Sequence, residues 1–296
     1  MKKAIQTFLV GITAVAATMG PATASAASPG AETEEQVYVA PRGPNGNPDL
    51  NGVWQVLNTA NYDIQAHTAR AAMAMAPGQF GPIPSKEVVA LGAVGSVPAG
   101  FGVVEGDEIP YQDWAAAKKI ENQQNWLQSD PEIKCYLPGV PRATYMPYPF
   151  QIFHSEQAIF FAYEYAGATR NIYLTDPGEA PTDSWMGQSF GHWEGDTLVI
   201  EVSGFNGQTW LDRAGNFHSD ALHVVERYTP NSDNTMYYEA TISDANVFTR
   251  PWKMSMTLYR RVGRDAQLQQ FKCVEFVEEL MYGDLRKVPS ERIQSE

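Results

Sequence analysis

The sequence predicts a mainly β protein: an antiparallel barrel or strongly curved sheet with an N-terminal extension and one helix. Three observations carry this. Short segments of alternating apolar and polar residues follow one another closely from residue 150 onward. Turn clusters separate most of them, with Ala166-Gly167, Glu194-Gly195-Asp196 and Pro230-Asn231-Ser232-Asp233-Asn234 the clearest. The chain also holds 13 Phe, 14 Tyr and 7 Trp, residue types that suit strands, apolar cores and apolar pockets alike.

In chain order, residues 1–26 read as a cleavable secretory signal. Lys2 and Lys3 precede an apolar stretch from Phe8 to Met19, Gly20-Pro21 breaks any helix, and Ala24-Ser25-Ala26 offers small residues to a signal peptidase. The stretch is short of the roughly 20 apolar residues that span a bilayer. Residues 27–48 read as a flexible leader and 49–133 as the extension, with Asp49-Leu50-Asn51-Gly52-Val53-Trp54-Gln55 a turn feeding a first strand. Residues 72–106, rich in Ala, Gly, Val and Pro, are long for a loop and are expected to wrap the surface, as a lid or packed against it. A helical pattern covers 113–128, with Trp114, Ala117, Ile120, Gln124 and Leu127 on one stripe. The β-domain is expected over 134–286 and a tail over 287–296.

Within the β-domain, strands are predicted at 150–154, 158–165, 170–174, 186–193, 197–202, 221–228, 235–242, 252–260 and 267–276. Trp252, Met254, Met256 and Leu258 share one face, as do Met236, Tyr238, Ala240 and Ile242. So many up-and-down strands hide their edges by closing, which favours a lipocalin-like barrel over a β-sandwich. Cys135 and Cys273, the two cysteines of the chain, are expected to pair in an oxidising compartment. A loop of that length would add up to ~5 kcal/mol on the chain-entropy model, and the bond would tie the front of the β-domain to a last strand holding Cys273.

Four segments carry a resemblance: Cys135 to Arg142 (CYLPGVPR), Pro147 to Ile152 (PYPFQI), Gly191 to Val199 (GHWEGDTLV), and Trp210-Leu211-Asp212 through His218-Ser219 to Glu226-Arg227-Tyr228. Together they resemble an uncharacterised family of secreted bacterial proteins over about residues 48–276. The Trp-Glu-Gly-Asp-Thr-Leu turn is similar to hairpins of small lipocalin-like bacterial domains. The resemblance implies secretion and a lipocalin-like β-domain, and no activity.

Formal charge is −13, and loss of Lys2 and Lys3 with the signal makes it −15. Such a chain repels nucleic acid and anionic membranes, and no second long apolar run predicts membrane insertion after signal cleavage. The densest polar cluster runs from Trp210 to Arg227. There His218 is the candidate general base, Asp212 its orienting partner, Arg213 the holder of an oxyanion or carboxylate, and Glu226 the acid. Alternation puts Glu226 on the aliphatic face of its strand with Val224 and Tyr228, where burial would raise its pKa. The alternative is a structural ion pair of Glu226 with Arg142, Arg170 or Arg213. Asp63 and His67 form a second candidate pair, four apart on a possible helix. Tyr163, Trp193, Trp210 and His192 are candidate ligand-binding residues. No metal or cofactor is expected, since H-x-H, H-E-x-x-H, C-x-x-C and nucleotide-binding loops are missing. The leading expectation is a secreted or periplasmic enzyme, an isomerase, lyase or hydrolase, acting on a small hydrophobic or aromatic molecule by acid–base chemistry. The alternatives are a non-catalytic carrier of an apolar ligand and a structural envelope protein.

Overall fold

The structure, a computed structural model, describes residues 38–69, 75–78, 81–84, 97–271 and 273. The proposed signal peptide, most of the leader, much of the 72–106 stretch, the end of the proposed 267–276 strand and the tail lie outside the described residues.

Nine strands close into one barrel. They are β1 (Gly52–Val56), β2 (Phe150–His154), β3 (Ile159–Tyr163), β4 (Thr169–Tyr173), β5 (Gln188–Glu194), β6 (Thr197–Ser203), β7 (His223–Ser232), β8 (Thr235–Ser243) and β9 (Trp252–Arg260). Each strand from β2 to β9 neighbours the next in sequence, and β1 closes the ring between β9 and β2. All pairings are antiparallel except β4 with β5, which run parallel (Ile172 opposite Ser189). The expected lipocalin-like closed barrel is therefore present, with one parallel pair in it. The β5–β6 hairpin is typical of the turns. Thr197 pairs with Glu194, and Gly195 at φ +59° supplies the left-handed backbone that a two-residue loop demands.

The period of two decides what lies inside. Trp54, Phe150, Ile152, Phe161, Leu198, Ile200, Val224, Tyr228, Tyr238, Met254 and Leu258 are buried to within 1 %. Lys253, Phe153 and Phe160 on the intervening positions are exposed. At one end of the barrel His154, buried, stacks on Trp193 at 5.6 Å. Asn51, at the mouth of β1, holds this strand end by bonding the His154 backbone N–H and carbonyl.

Three boundaries differ from the sequence reading. The extension of 49–133 is not separate from the β-domain, because β1 pairs with β9 (Val56 opposite Leu258) and with β2 (Gly52 opposite Ile152). Second, residues 267–271 form no strand, so Cys273 lies beyond the barrel and not in its last strand, which ends at Arg260. Third, the helix at 113–128 is α1 (Asp113–Gln124) followed by a single turn, α2 (Trp126–Ser129). It buries Ala115 and Asn122, while Trp114 and Ile120 of the expected stripe are about half exposed. The cause is close backbone approach: the Gly215 carbonyl accepts from Asn122 Nδ2 at 3.3 Å. A Cβ at Gly215 would lie 2.6 Å from the Lys119 carbonyl oxygen. A third short helix, α3 (Arg142–Tyr145), is wholly buried.

Cys135 and Cys273 are joined, with Cα atoms 5.7 Å apart and 138 residues between them in sequence. The bond is compatible with an extracellular setting. Among the described residues no helix is long and apolar enough to cross a membrane. Because the bond restrains the unfolded chain over so long a loop, Cys135→Ser/Cys273→Ser should lower unfolding free energy by about 2–5 kcal/mol. Urea titration of the oxidised protein and the double variant measures this, and coincident midpoints would contradict it.

Candidate functional site

The barrel interior is not an empty calyx. Glu226 faces inward from β7 and is fully buried. Its Oε2 accepts from Arg170 Nη2 at 2.6 Å, and its Oε1 accepts from the hydroxyls of Tyr228 (2.9 Å) and Tyr238 (2.8 Å). Arg170, inward on β4, also donates from Nη1 to the Tyr163 hydroxyl (3.1 Å) and from Nη2 to Ser189 Oγ (3.0 Å). Its guanidinium lies 5.5 Å from the Phe161 ring centre. Burial, and after it the Glu226 charge, push the phenols of Tyr228 and Tyr238 well above their ordinary range, so both stay as donors. The ion-pair alternative for Glu226 is thus realised with Arg170. Tyr163 belongs to that network and not to a ligand pocket.

The loop between β6 and β7 holds the other expected catalytic groups, each committed elsewhere. Asp212 is fully buried and takes four N–H donors. Oδ1 accepts from the amides of Ala214 (2.9 Å) and Asn216 (3.1 Å); Oδ2 accepts from the Ile64 amide (2.9 Å) and Asn216 Nδ2 (2.6 Å). Burial first, and the neighbouring Asp63 second, outweigh those donors and push Asp212 up to about 7. His218 is buried edge-on to Phe205, with ring centres 5.7 Å apart. The Ser219 carbonyl 2.7 Å from Nδ1 fixes the proton there, so Nε2 accepts from the Thr209 hydroxyl at 2.5 Å. Burial lowers the His218 pKa and keeps the ring neutral. Asp212 therefore does not orient His218, since both ring nitrogens are engaged with Thr209 and Ser219.

Arg213 grips Glu132 with two bonds (Nε to Oε2 2.6 Å, Nη2 to Oε1 2.9 Å) and lies over the rings of Tyr62 and Trp126. Glu132 is shared with Arg142 (3.0 Å). Arg142 also binds both oxygens of Asp130 (2.9 and 3.0 Å) and Asn61 Oδ1 (3.0 Å). This buried clasp ties the Cys135–Arg142 segment to the loop after β1, and the sequence reading missed it. Its one visible signal was Asp130-Pro131-Glu132 shortly before Arg142.

The remaining expected sites separate. Asp63 and His67 share no helix. His67 sits in a two-residue ribbon against Gly100, its Nδ1 2.9 Å from the Gln65 carbonyl oxygen and its Nε2 3.0 Å from that of Pro98. Trp210 is buried in a bridge with Phe217. Trp193 is part-buried and stacks on His154, and His192 lies beside Glu194 (3.4 Å). Among the described residues no three metal-ligating side chains gather.

A concave site does exist, on the side of the barrel. β1 leaves the ladder after Val56, while β9 runs on and is covered instead by Val103 and Val104, with the Ser255 amide donating to the Val103 carbonyl at 2.9 Å. Between the two lies a cleft of about 590 Å³, lined by Leu57–Ala60, Asp63, Ala99–Val103, Ser255–Thr257 and Tyr259. Gly102 makes the near wall possible. Its φ is +78°, and a Cβ there would lie 2.6 Å from the Ala66 amide nitrogen. Asp63 is 9 % exposed, and its Oδ1 accepts the Gln65 amide at 3.0 Å. Its Oδ2 has no hydrogen-bond partner among the described residues. Of all the residues expected to do chemistry, Asp63 is the one the structure puts on this cleft.

Two outcomes follow. Glu226→Gln leaves the Arg170 charge buried without its counter-ion and should cost about 3–5 kcal/mol, whereas Glu226→Leu/Arg170→Leu should recover most of that loss. Equal destabilisation of single and double variants in urea would show that the pair is not the cause. For Asp212, the folded pKa near 7 exceeds the ordinary carboxylate value, so the folded state holds a proton that the unfolded chain has lost. Its contribution to stability is constant below about pH 4 and falls as pH rises towards 7, by up to about 1.4 kcal/mol per pH unit. Asp212→Asn should flatten that stretch of the stability–pH curve, and an unchanged slope would refute the assignment.

Comparison of the chain with protein-family models, curated proteins and solved structures gives no match, so the functional reading stands on the geometry of the seam cleft.

Proposed function

We propose that the protein is exported through its N-terminal signal and binds a small organic molecule in the cleft between β1 and β9, as a carrier or receptor. The single observation behind this is the contrast between the two candidate sites. The barrel interior is filled by side chains that satisfy one another around Glu226 and Arg170. The seam cleft is open, about 590 Å³, and within the size range of small-molecule sites. Leu57, Phe101, Val103, Met256 and Tyr259 give it apolar walls for a hydrophobic or aromatic ligand body, while Asn58, Thr59 and Asp63 supply polar contacts. The disulfide supports an extracellular working place.

A second reading is favoured by one specific feature. Asp63 lies against a carboxyl group pushed up to about 7, and such carboxyl pairs can pass a proton. In that reading the protein is an acid–base enzyme whose acting group is Asp63, with Asp212 as a positioning residue behind it. His218, Arg213 and Glu226 take no part.

A small-molecule library screened by protein-observed NMR tests the first reading. Bound molecules should shift amides of 57–60, 99–103 and 255–259, and Thr257→Trp should abolish those shifts while leaving the far-UV spectrum intact. Shifts centred on barrel-interior residues such as Tyr228 and Tyr238 would overturn it. Turnover of a bound molecule, lost in Asp63→Asn, would replace it with the second.

A further inference from the structure

We propose that the molecule taken by the seam cleft is a primary organic ammonium, its charged head seated on the free oxygen of Asp63. This rests on the cleft reading and specifies its ligand.

The carboxylate of Asp63 is held in place from behind. Its amide donates to the Thr59 carbonyl at 3.2 Å, and its Oδ1 takes the Gln65 amide at 3.0 Å. These bonds fix the turn after β1 and the plane of the carboxylate, leaving Oδ2 as the atom with spare acceptor capacity. Asp63 is about nine-tenths buried and lines the cleft, so its spare acceptor meets what enters there.

Among the described residues none provides a partner of opposite sign. The described lining of the cleft contains neither Lys nor Arg. The nearby cations are engaged elsewhere: Arg142 with Asp130 and Glu132, and Arg213 with Glu132. The neighbouring carboxyl, Asp212, is pushed up to about 7 by burial and then by Asp63, so it is only partly ionised at neutral pH. A neutral hydroxyl could fill the hydrogen bond at Oδ2, but a cation also meets the Asp63 carboxylate charge, so charge selects among ligands of equal shape.

An ammonium fits better than a metal ion. A divalent cation needs several oxygen ligands, and Asp63 is the one carboxylate among the described residues of the lining. An ammonium needs one strong acceptor and tolerates apolar surroundings along its carbon body. The cleft offers that surface through Leu57 (69 % exposed) and Phe101 (103 % exposed), with Met256 at its floor. The protein's net charge of −13 also raises the local concentration of cations.

The experiment uses three probes of one shape on the full-length mature protein at pH 7: benzylamine, benzyl alcohol and phenylacetate, titrated by protein-observed NMR. Benzylamine should bind at least tenfold more tightly than benzyl alcohol, with shifts at 57–63, 99–103 and 255–259, and phenylacetate should not bind. In Asp63→Asn, benzylamine should fall to the affinity of benzyl alcohol, whose own affinity should stay within a factor of two. If the amine and the alcohol bind the cleft equally in the native protein, the ammonium proposal fails and the cleft reading stands. If no probe shifts the cleft residues, or if Asp63→Asn weakens all binders alike, the proposal also fails; Thr257→Trp then reports whether any cleft binding was present to lose.

Discussion

A carboxylate and a guanidinium sealed inside a barrel set the terms for the rest of this protein. Neither Glu226 nor Arg170 could sit there alone, because a lone buried charge is far more costly than any strand pairing can offset. They are tolerated because Tyr163, Tyr228, Tyr238 and Ser189 complete their hydrogen bonds. That solution fills the interior with large side chains from β3, β4, β7 and β8 and with Ser189 of β5. The register of five strands is thereby specified, since a one-residue slip of any of them would turn its polar group out of the network. The same network occupies the interior around Glu226 and Arg170.

A second set of buried charges lies outside the strands and does a different job. Arg142, Asp130, Glu132 and Arg213 join the loop after β1 to the long β6–β7 loop, and Asp212 binds the Ile64 amide from the other side. These bonds hold Asp63 and its turn away from β9. The cleft is thus a consequence of loop anchoring: the chain after β1 is tied to the clasp, and the β9 edge opposite it is left partly uncovered.

The strands from 150 to 260 were legible because alternation and turn chemistry are local. Trp252, Met254, Met256 and Leu258 could be assigned to one face from spacing alone, and Glu226 to the inward face of its strand. What spacing cannot encode is which distant segment supplies a partner. Glu226 had three candidate arginines, and periodicity offers nothing to choose Arg170 among them. The place of β1 in the barrel was missed for the same reason, as its partners are β2 and β9. The segment at 267–276 misled in the opposite direction. Its aromatic and apolar residues suit a strand, but Phe271 instead packs beside Tyr148 and Tyr165. His218 and Asp212 looked catalytic because loops concentrate polar residues; in this loop those residues satisfy main-chain groups and one another. The cleft had no motif at all, being made of a strand edge and glycine-bearing backbone at 99–103.

The position of β1 has a consequence for how the chain becomes a barrel. It is the first barrel strand to leave any machine that handles the polypeptide from its N-terminus, yet β9, which must pair with half of it, is the last. Every strand from β2 to β9 meets its sequence neighbour, and most do so across a short turn, whereas β1 must wait for Leu258–Arg260, more than two hundred residues further along the chain, to arrive. Sealing the cylinder is therefore the most non-local event in its assembly and the slowest by loop-closure entropy. Until then two raw sheet borders stay open to other chains, so crowding of half-made molecules is the natural hazard of this topology.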